Sequence, residues 1–137
     1  MIELGGCTIN NFKSLDKFNL DFSKFTCLIG LNSAGKSTIL QAIDFISQQM
    51  KGDITGWLKD RNWEAKELKC KLINNRNILI VINFDYHGKF YVWLFIFNHS
   101  LKKVIHEYIT YIPDLNFPKK EEIMVMHLRL VDKYSRV

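Results

Sequence analysis

The apolar residues after position 36 follow the period of an α-helix. An apolar side chain recurs every three or four residues, which predicts a helix of about three turns with one buried face. The positions that carry this period are Ile39, Ile43, Ile46 and Met50. Lys51 followed by Gly52 is typical of a helix C-terminus, so we expect the helix to end there.

The segments before this helix have the pattern of β-strands. Residues 1–4 and 7–9 alternate apolar with polar side chains around a glycine pair, which predicts one strand interrupted by a bulge or bend. Residues 19–22 predict a second strand. Residues 25–29 are short, β-branched and aromatic, so they predict a buried strand that leads directly to the helix.

The second half of the chain has the two-residue period of an antiparallel sheet. The alternation begins at Leu68, Cys70 and Leu72 and continues in longer segments. The strands expected there are 78–86, 90–97, 104–112 and 123–131. His87-Gly88, between the first two, suits a tight two-residue hairpin loop.

Residues 53–66, between the helix and this sheet, fit either a short helix or an insertion over the sheet. Trp57 and Trp63 lie within them and could stack on an adenine. Because aromatic burial dominates packing, a role in the core or in an interface is favoured for both.

Residues 30–38 read Gly-Leu-Asn-Ser-Ala-Gly-Lys-Ser-Thr and fit the pattern G-x-x-x-x-G-K-[ST]. A strand before the pattern and a helix after it are the context that this phosphate-binding loop requires. A helix N-terminus offers free backbone N–H groups and the positive end of the helix dipole, which favour an anion. The sequence therefore predicts a nucleotide site; the competing interpretation is a glycine turn capped by Ser37.

Each residue type in this loop has a chemical task. Gly30 and Gly35 allow positive φ and a close approach of the backbone to the phosphates. Lys36 would place its ammonium between the β- and γ-phosphates, and the Ser37 hydroxyl would be a ligand of Mg²⁺. The predicted cofactors are therefore ATP and Mg²⁺, with Ser37 as the metal ligand.

Composition limits the class of protein without identifying a partner. The 137 residues are 47% hydrophobic and 24% charged, which is typical of one folded domain. The net charge of +5 permits contact with nucleic acid, but the lysines are scattered and fit solvated faces equally well. Cys7, Cys27 and Cys70 stand in apolar surroundings, which favours buried, reduced thiols and a cytoplasmic protein. No apolar run is long enough to span a bilayer.

Three segments together resemble a known family. Residues 9–14 read Ile-Asn-Asn-Phe-Lys-Ser, residues 20–22 read Leu-Asp-Phe, and residues 39–43 continue the loop as Ile-Leu-Gln-Ala-Ile. This order is similar to the start of the ABC-type ATPase heads of RecF, SMC proteins and the OLD-like ATPases of bacterial defence. The likeness covers about the first third of the chain and exceeds the generic loop at Asn32 and in the Asn-Phe-Lys-Ser segment.

The resemblance implies an α/β fold, namely the N-terminal lobe of a P-loop NTPase of the ABC-ATPase head type. A mixed or antiparallel sheet would surround the helix after the phosphate loop. Residues 1–52 would form the nucleotide-binding core and residues 67–137 an antiparallel subsheet of the same lobe. The chain reads as an incomplete part of such a head.

The resemblance also implies a set of nucleotide-binding residues. Asn32 would shape the loop, Ser33 replaces a glycine of many relatives and would stiffen it slightly, and Lys13 would approach the nucleotide from a strand end. Lys13 equally fits an exposed strand-end lysine. The expected binding residues are Gly30, Asn32, Ser33, Ala34, Gly35, Lys36, Ser37, Thr38 and Lys13.

Hydrolysis requires groups beyond a phosphate loop, above all a carboxylate for the Mg²⁺ shell and a residue that orients water. The resembled heads supply them from a strand ending Asp-Glu, a Ser-Gly helix, a glutamine loop and a switch histidine. Residues 78–85 end in Asp85 and imitate such a strand, but a glycine hairpin follows and no glutamate does. We therefore assign no catalytic residue and expect this segment alone to be inactive.

By resemblance, the chain would bind ATP in a homodimer or higher oligomer of ATPase heads. The heads would act with DNA, or with a nuclease partner or fused nuclease domain, in antiviral defence or DNA repair. One alternative is a non-catalytic module in which ATP stabilises a partner surface, and another is a small P-loop kinase or GTPase. The hairpin signals after residue 83 argue against the last, which needs a parallel sheet of βα units.

Overall fold

A computed structural model describes residues 1–31 and 35–113 of the chain. The described elements are strands β1 (Ile2–Asn10) and β2 (Phe18–Asp21), helices α1 (Lys36–Lys51) and α2 (Ile54–Asp60), a 3₁₀ helix (Ala65–Leu68), and strands β3 (Asn77–Tyr86), β4 (Lys89–Asn98) and β5 (Lys103–Ile112). The strand expected at 123–131 lies outside the described residues. Among the described helices, none is long and apolar enough to cross a membrane.

The five described strands form one sheet in the order β2-β1-β3-β4-β5, and every neighbouring pair is antiparallel. This confirms the predicted meander over β3, β4 and β5. His87 and Gly88 join β3 to β4 with φ of +54° and +72°, the two left-handed residues that a type I′ turn needs. The antiparallel pairing within the described residues also disfavours the kinase or GTPase alternative.

Strand β1 carries the predicted bulge. Its register against β3 shifts between Leu4 and Gly6, where one extra residue is accommodated. A Cβ atom on Gly5 would lie 2.6 Å from Asn83 Oδ1, closer than real Cβ contacts allow. Gly5 is therefore required by the close approach of the β3 side chain, and Gly6 by the backbone of β2, since its Cβ would lie 2.8 Å from Leu20 O.

Helix α1 packs on one face of the sheet through a cluster of aromatic rings. Phe45 is fully buried, and its ring centroid lies 5.4 Å from that of Phe12, 5.7 Å from that of Trp57 and 5.3 Å from that of Phe97. Trp57 itself is buried, so its predicted role in the core is confirmed. The helix ends as expected at Gly52, which has φ of +79°.

The strand expected at 25–29 is not formed, which corrects the sequence prediction. The segment leaves the sheet after β2, and Phe25, Ile29 and Leu31 are 83%, 91% and 81% exposed. A strand needs a neighbour for its backbone N–H and C=O groups, and no strand of the described residues lies beside this segment. The apolar pattern identified residues that favour burial, but it could not show whether a neighbouring strand was present.

Two smaller predictions fail for related reasons. The alternation from Leu68 to Leu72 does not give a strand, because Leu68 belongs to the 3₁₀ helix and Leu72 is 95% exposed. Cys7 and Cys70 are buried as predicted, whereas Cys27 is exposed. Cys27 lies on the segment that leaves the sheet, where Phe25 and Ile29 are exposed with it and Leu28 is partly buried.

Candidate phosphate-binding site

The N-terminus of α1 is built by Gly35. This residue precedes the helix with φ of +85° and ψ of +12°, in the left-handed region where a side chain is strained. Its carbonyl accepts the first intrahelical hydrogen bond from the Ile39 N–H at 3.1 Å. A Cβ at this position would lie 3.4 Å from Ser14 Oγ, which is an ordinary contact, so it is the backbone angle that favours glycine.

No side chain of the described residues caps the helix start, and no acidic residue lies in its first turn. The competing interpretation, a turn capped by Ser37, therefore does not describe this site, since Ser37 is exposed and forms no cap. The first N–H groups of the 16-residue helix therefore have no side-chain cap among the described residues, and they lie at the positive end of its dipole. Such an end is suited to a phosphate group.

The Lys36 side chain folds back across the loop that precedes it. Its Nζ donates to the carbonyl oxygen of Gly30 and, at 2.6 Å, to that of Leu31. The ammonium is thus held by the carbonyl groups of the first two residues of the motif. An ammonium has three N–H donors, so this position leaves a donor for an oxygen above the helix start.

The hydroxyl groups of the first turn have different surroundings. Ser37 is exposed, whereas Thr38 Oγ1 lies 3.4 Å from Ser14 Oγ on the turn after β1. The Ser37 hydroxyl is therefore the more accessible of the two. Among the described residues, no group of three histidine, cysteine or acidic side chains could hold a metal ion by itself.

The remaining loop residues, Asn32, Ser33 and Ala34, lie outside the described residues. Their expected role in shaping the loop stays a prediction. What the described residues show is that the loop begins at Gly30, where Lys36 contacts it, and ends at Gly35, where the helix begins.

Lys13 lies beside α1, but its ammonium is directed to protein groups. Its Nζ donates to Gln41 Oε1 at 2.8 Å and lies 3.4 Å from the centroid of the Trp63 ring. Burial lowers the pKa of Lys13, and the charge of Glu67 opposes this shift. Lys13 is half-buried, so the alternative of a fully solvated strand-end lysine does not describe it.

Sequence reasoning missed three residues that place Lys13 and the loop relative to each other. Ser14 stands next to Lys13 in the Asn-Phe-Lys-Ser segment and touches both Gly35 and Thr38. Gln41 and Trp63 come from α1 and from the segment after α2. The family segment was a signal for Ser14, but the other two come from separate parts of the chain and no local pattern identifies them.

Asp85, which imitates the carboxylate of a hydrolytic strand, has a structural task. Its Oδ1 accepts a hydrogen bond from the Gly88 N–H at 2.9 Å and so closes the β3–β4 hairpin. It ends an antiparallel strand at the turn, as the glycine hairpin in the sequence indicated. Asp85 is therefore a turn residue of the hairpin, and we assign it no catalytic role.

A glycine loop that opens a helix, with a lysine folded across it, defines the class of P-loop nucleotide-binding proteins. Comparison with known families agrees. The family described as the AAA ATPase domain matches residues 4–134, so the chain belongs to this family. Nucleotide binding is the property that this family implies, and the resemblance to the N-terminal part of AAA/ABC-like P-loop ATPases is confirmed.

One curated relative is the OLD nuclease of Thermus scotoductus. The chain is 32% identical to it over 77 residues, which cover 56% of this chain and 13% of that protein. The chain thus spans a small part of the relative's length.

Proposed function

We propose that the chain binds ATP together with Mg²⁺ at the start of α1. The observation that carries this proposal is the helix N-terminus at Gly35, left without a side-chain cap and crossed by the Lys36 ammonium. Backbone N–H groups and a fixed cation are the donors that a triphosphate needs. The family match supports the same site.

In this proposal, Lys36 lies between the β- and γ-phosphates and the Ser37 hydroxyl is a Mg²⁺ ligand. Backbone N–H groups of the loop and the first helical turn hold the other phosphate oxygens. The loop residues that complete the site are Gly30, Asn32, Ser33, Ala34, Gly35 and Thr38. Lys13 lies at the periphery of the site, where it contacts Gln41 and Trp63.

Calorimetric titration of the 137-residue chain with ATP and Mg²⁺ tests this site. We expect Lys36→Ala to weaken binding about tenfold or more, because it removes a charge-assisted contact. Lys51→Ala, at the far end of the same helix, is the matched control and should bind as the wild type does. Absence of binding by the wild type, or equal binding by Lys36→Ala, would refute the proposal.

We further propose that the chain is the N-terminal lobe of an ABC-type ATPase head that works with a nuclease. The nuclease relative and the AAA family match support this context. Hydrolysis would then depend on a carboxylate strand and a Ser-Gly helix supplied by other parts of the head or by a second head. Heads would pair as a homodimer or higher oligomer in the cytoplasm, acting with DNA in antiviral defence or DNA repair.

One observation favours the second candidate, a non-catalytic module whose nucleotide stabilises a partner surface. Phe25 and Ile29 directly before the loop, and Leu31 near its start, expose large apolar side chains, and exposed apolar patches mark interaction surfaces. A turnover assay separates the two candidates. Sustained ATP hydrolysis by this chain, lost in Lys36→Ala, would contradict both the module and our view that catalytic elements come from elsewhere.

A further inference from the structure

A large cavity lies beside the bulge of β1, at the end of the sheet where β1 begins and β3 ends. Its volume is about 1400 Å³. Its walls come from β1, from β2 with the segment that follows it to Cys27, and from the adjoining ends of β3 and β4. None of the described residues of the phosphate motif lines it, so the cavity does not involve the described part of the candidate phosphate site.

The charged side chains of this cavity are mostly carboxylates. Among the described lining residues, Glu3, Asp21 and Asp85 are acidic and Lys24 is basic. Glu3 and Asp85 stand directly opposite each other on β1 and β3. Like charges in such a cross-strand pair destabilise a sheet, and a bound cation would offset their repulsion.

An amide oxygen without a partner belongs to the same cavity. Asn83 lines it and is only 4% exposed, yet its Oδ1 has no hydrogen-bond partner. Buried polar atoms are nearly always hydrogen-bonded, so this exception indicates a missing donor. A Cβ on Gly5 would lie 2.6 Å from this oxygen, and one on Gly6 would lie 3.4 Å from it. Since both glycines line the cavity and have no side chain, neither covers the amide from that side.

These groups are suited to a cation that carries N–H donors on an apolar body. Carboxylates and amide oxygens accept hydrogen bonds, so the ligand must donate them. A metal ion is disfavoured, because no group of three acidic, histidine or cysteine side chains of the described residues could hold one. Phe22, Phe25 and Phe90 add aromatic walls, and aromatic rings attract ammonium and guanidinium groups.

We propose that this cavity binds an arginine-containing segment of a partner protein, with the guanidinium bonded to Asn83 Oδ1 and facing the carboxylates of Glu3 and Asp85. A guanidinium has five N–H donors in a fixed fork, so it serves an amide oxygen and a carboxylate together, whereas an ammonium is a point charge. Pockets for one small ligand measure about 300–1,000 Å³, so this larger cavity with phenylalanine walls suits a peptide with apolar residues beside the arginine. The inference does not depend on ATP.

Titration of the full 137-residue chain with two peptides, followed by ¹H–¹⁵N NMR, tests the site. One probe is the blocked pentapeptide Leu-Arg-Phe-Arg-Leu. The other carries citrulline, the neutral isostere of arginine, in place of both arginines. We expect the arginine peptide to bind about tenfold tighter or more and to shift the backbone amide signals of Gly5 and Gly6. The titration is carried out without ATP, because ATP would bind the arginines itself.

Two substitutions remove groups that the proposal assigns to the ligand. Asn83→Val should weaken binding of the arginine peptide about tenfold, and Glu3→Gln about two- to fivefold. Asp60→Asn, at the end of α2 and outside the cavity, is the matched control and should bind as the wild type does. Asn83→Val should also leave the urea midpoint unchanged or raise it, because it removes a buried acceptor that has no partner. A purely structural asparagine would instead lower the midpoint on substitution.

Several outcomes would overturn the proposal. No binding by the wild type, equal affinity for the arginine and citrulline peptides, or unaltered binding in both variants would each do so. Equal shifts of the Gly5 and Gly6 signals with Ca²⁺ alone would assign the cavity to a metal ion, and equally tight binding of arginine amide would assign it to a small ligand. Glu3 is exposed, so Glu3→Gln decides the question even if Asn83→Val does not fold. Lys36→Ala should bind the peptide as the wild type does, so failure of the nucleotide site would leave this inference intact.

Discussion

Two apolar stretches of this chain have similar patterns and reach different structures. Residues 78–82 lie in β3, between β1 and β4, and are buried throughout. Residues 25–29 lie outside the sheet, with Phe25 and Ile29 exposed. The difference is the presence of a neighbour: a strand needs a hydrogen-bonded partner and a covered face, and only the first stretch finds both within the described residues.

The same contrast separates scaffold from site. The sheet and α1 are fixed by ring contacts around Phe45, whereas the loop before α1 carries the candidate site. Binding loops on a rigid scaffold are a common arrangement, because a loop can direct backbone N–H groups that a sheet would use internally. The meander thus provides stability, and the segment from residue 25 to Lys36 provides the candidate chemistry.

A pair of matched phenylalanine substitutions should give the largest effect. Phe45→Ala empties the centre of the core and should lower the free energy of unfolding by about 3–5 kcal/mol. Phe25→Ala acts on an exposed side chain and should change it by less than about 0.5 kcal/mol. Urea unfolding followed by circular dichroism measures both. Equal losses of unfolding free energy in the two variants would show that Phe25 is packed in solution. The proposed difference between the buried and the exposed apolar stretch would then be wrong.

The hairpin turn should give an intermediate effect. Gly88→Ala places a side chain at φ of +72° and should lower the free energy of unfolding by about 1–2 kcal/mol. Gly88→Asn is the control, because asparagine tolerates the left-handed region, and it should recover much of that loss. Since a Cβ at Gly88 meets nothing within 4 Å, an equal loss in both variants would contradict backbone strain as the cause.

The buried thiol of Cys7, in β1, should make the stability of the protein depend on pH above pH 9. Burial, with the charge of Asp21 adding to it, raises the pKa of the Cys7 thiol from 9.0 to about 12. The unfolded thiol loses its proton near pH 9 and the folded one does not, so stability is complete below pH 9 and falls as the pH rises above it. The expected contribution is about 1 kcal/mol between pH 9 and pH 10.

Unfolding measured at pH 8, 9 and 10 checks this expectation. Cys7→Ala should reduce the loss of stability above pH 9, whereas Cys27→Ala, on the exposed segment, should reproduce the wild-type slope. A wild-type slope that persists unchanged in Cys7→Ala would assign the alkaline loss to other groups.

Local chemistry explains which elements could be predicted from sequence. The helix period, the Gly52 terminus, the β1 bulge and the His87-Gly88 turn each depend on a few neighbouring residues, and each is observed. The phosphate loop was identified in the same way, because its pattern is contiguous and directly precedes the helix it opens. The structure of Asn32, Ser33 and Ala34 lies outside the described residues, so that part of the prediction stays open.

Features that depend on distant parts of the chain escaped prediction. The position of Lys13 is set by Gln41 and Trp63, which are 28 and 50 residues away in sequence. The role of such a residue depends on its contacts with distant residues, and the hydrophobic period of a single segment does not show which residues those are.

The sequence by itself determined the helix and the meander, because propensity and turn geometry are local properties, and it predicted a phosphate loop from motif spacing. Only the tertiary structure decided that β1 pairs with β3, that residues 25–29 leave the sheet, and that the Lys13 ammonium lies on a tryptophan. The physical reason is that burial and hydrogen bonding require a partner surface, and a partner is supplied by the folded chain as a whole.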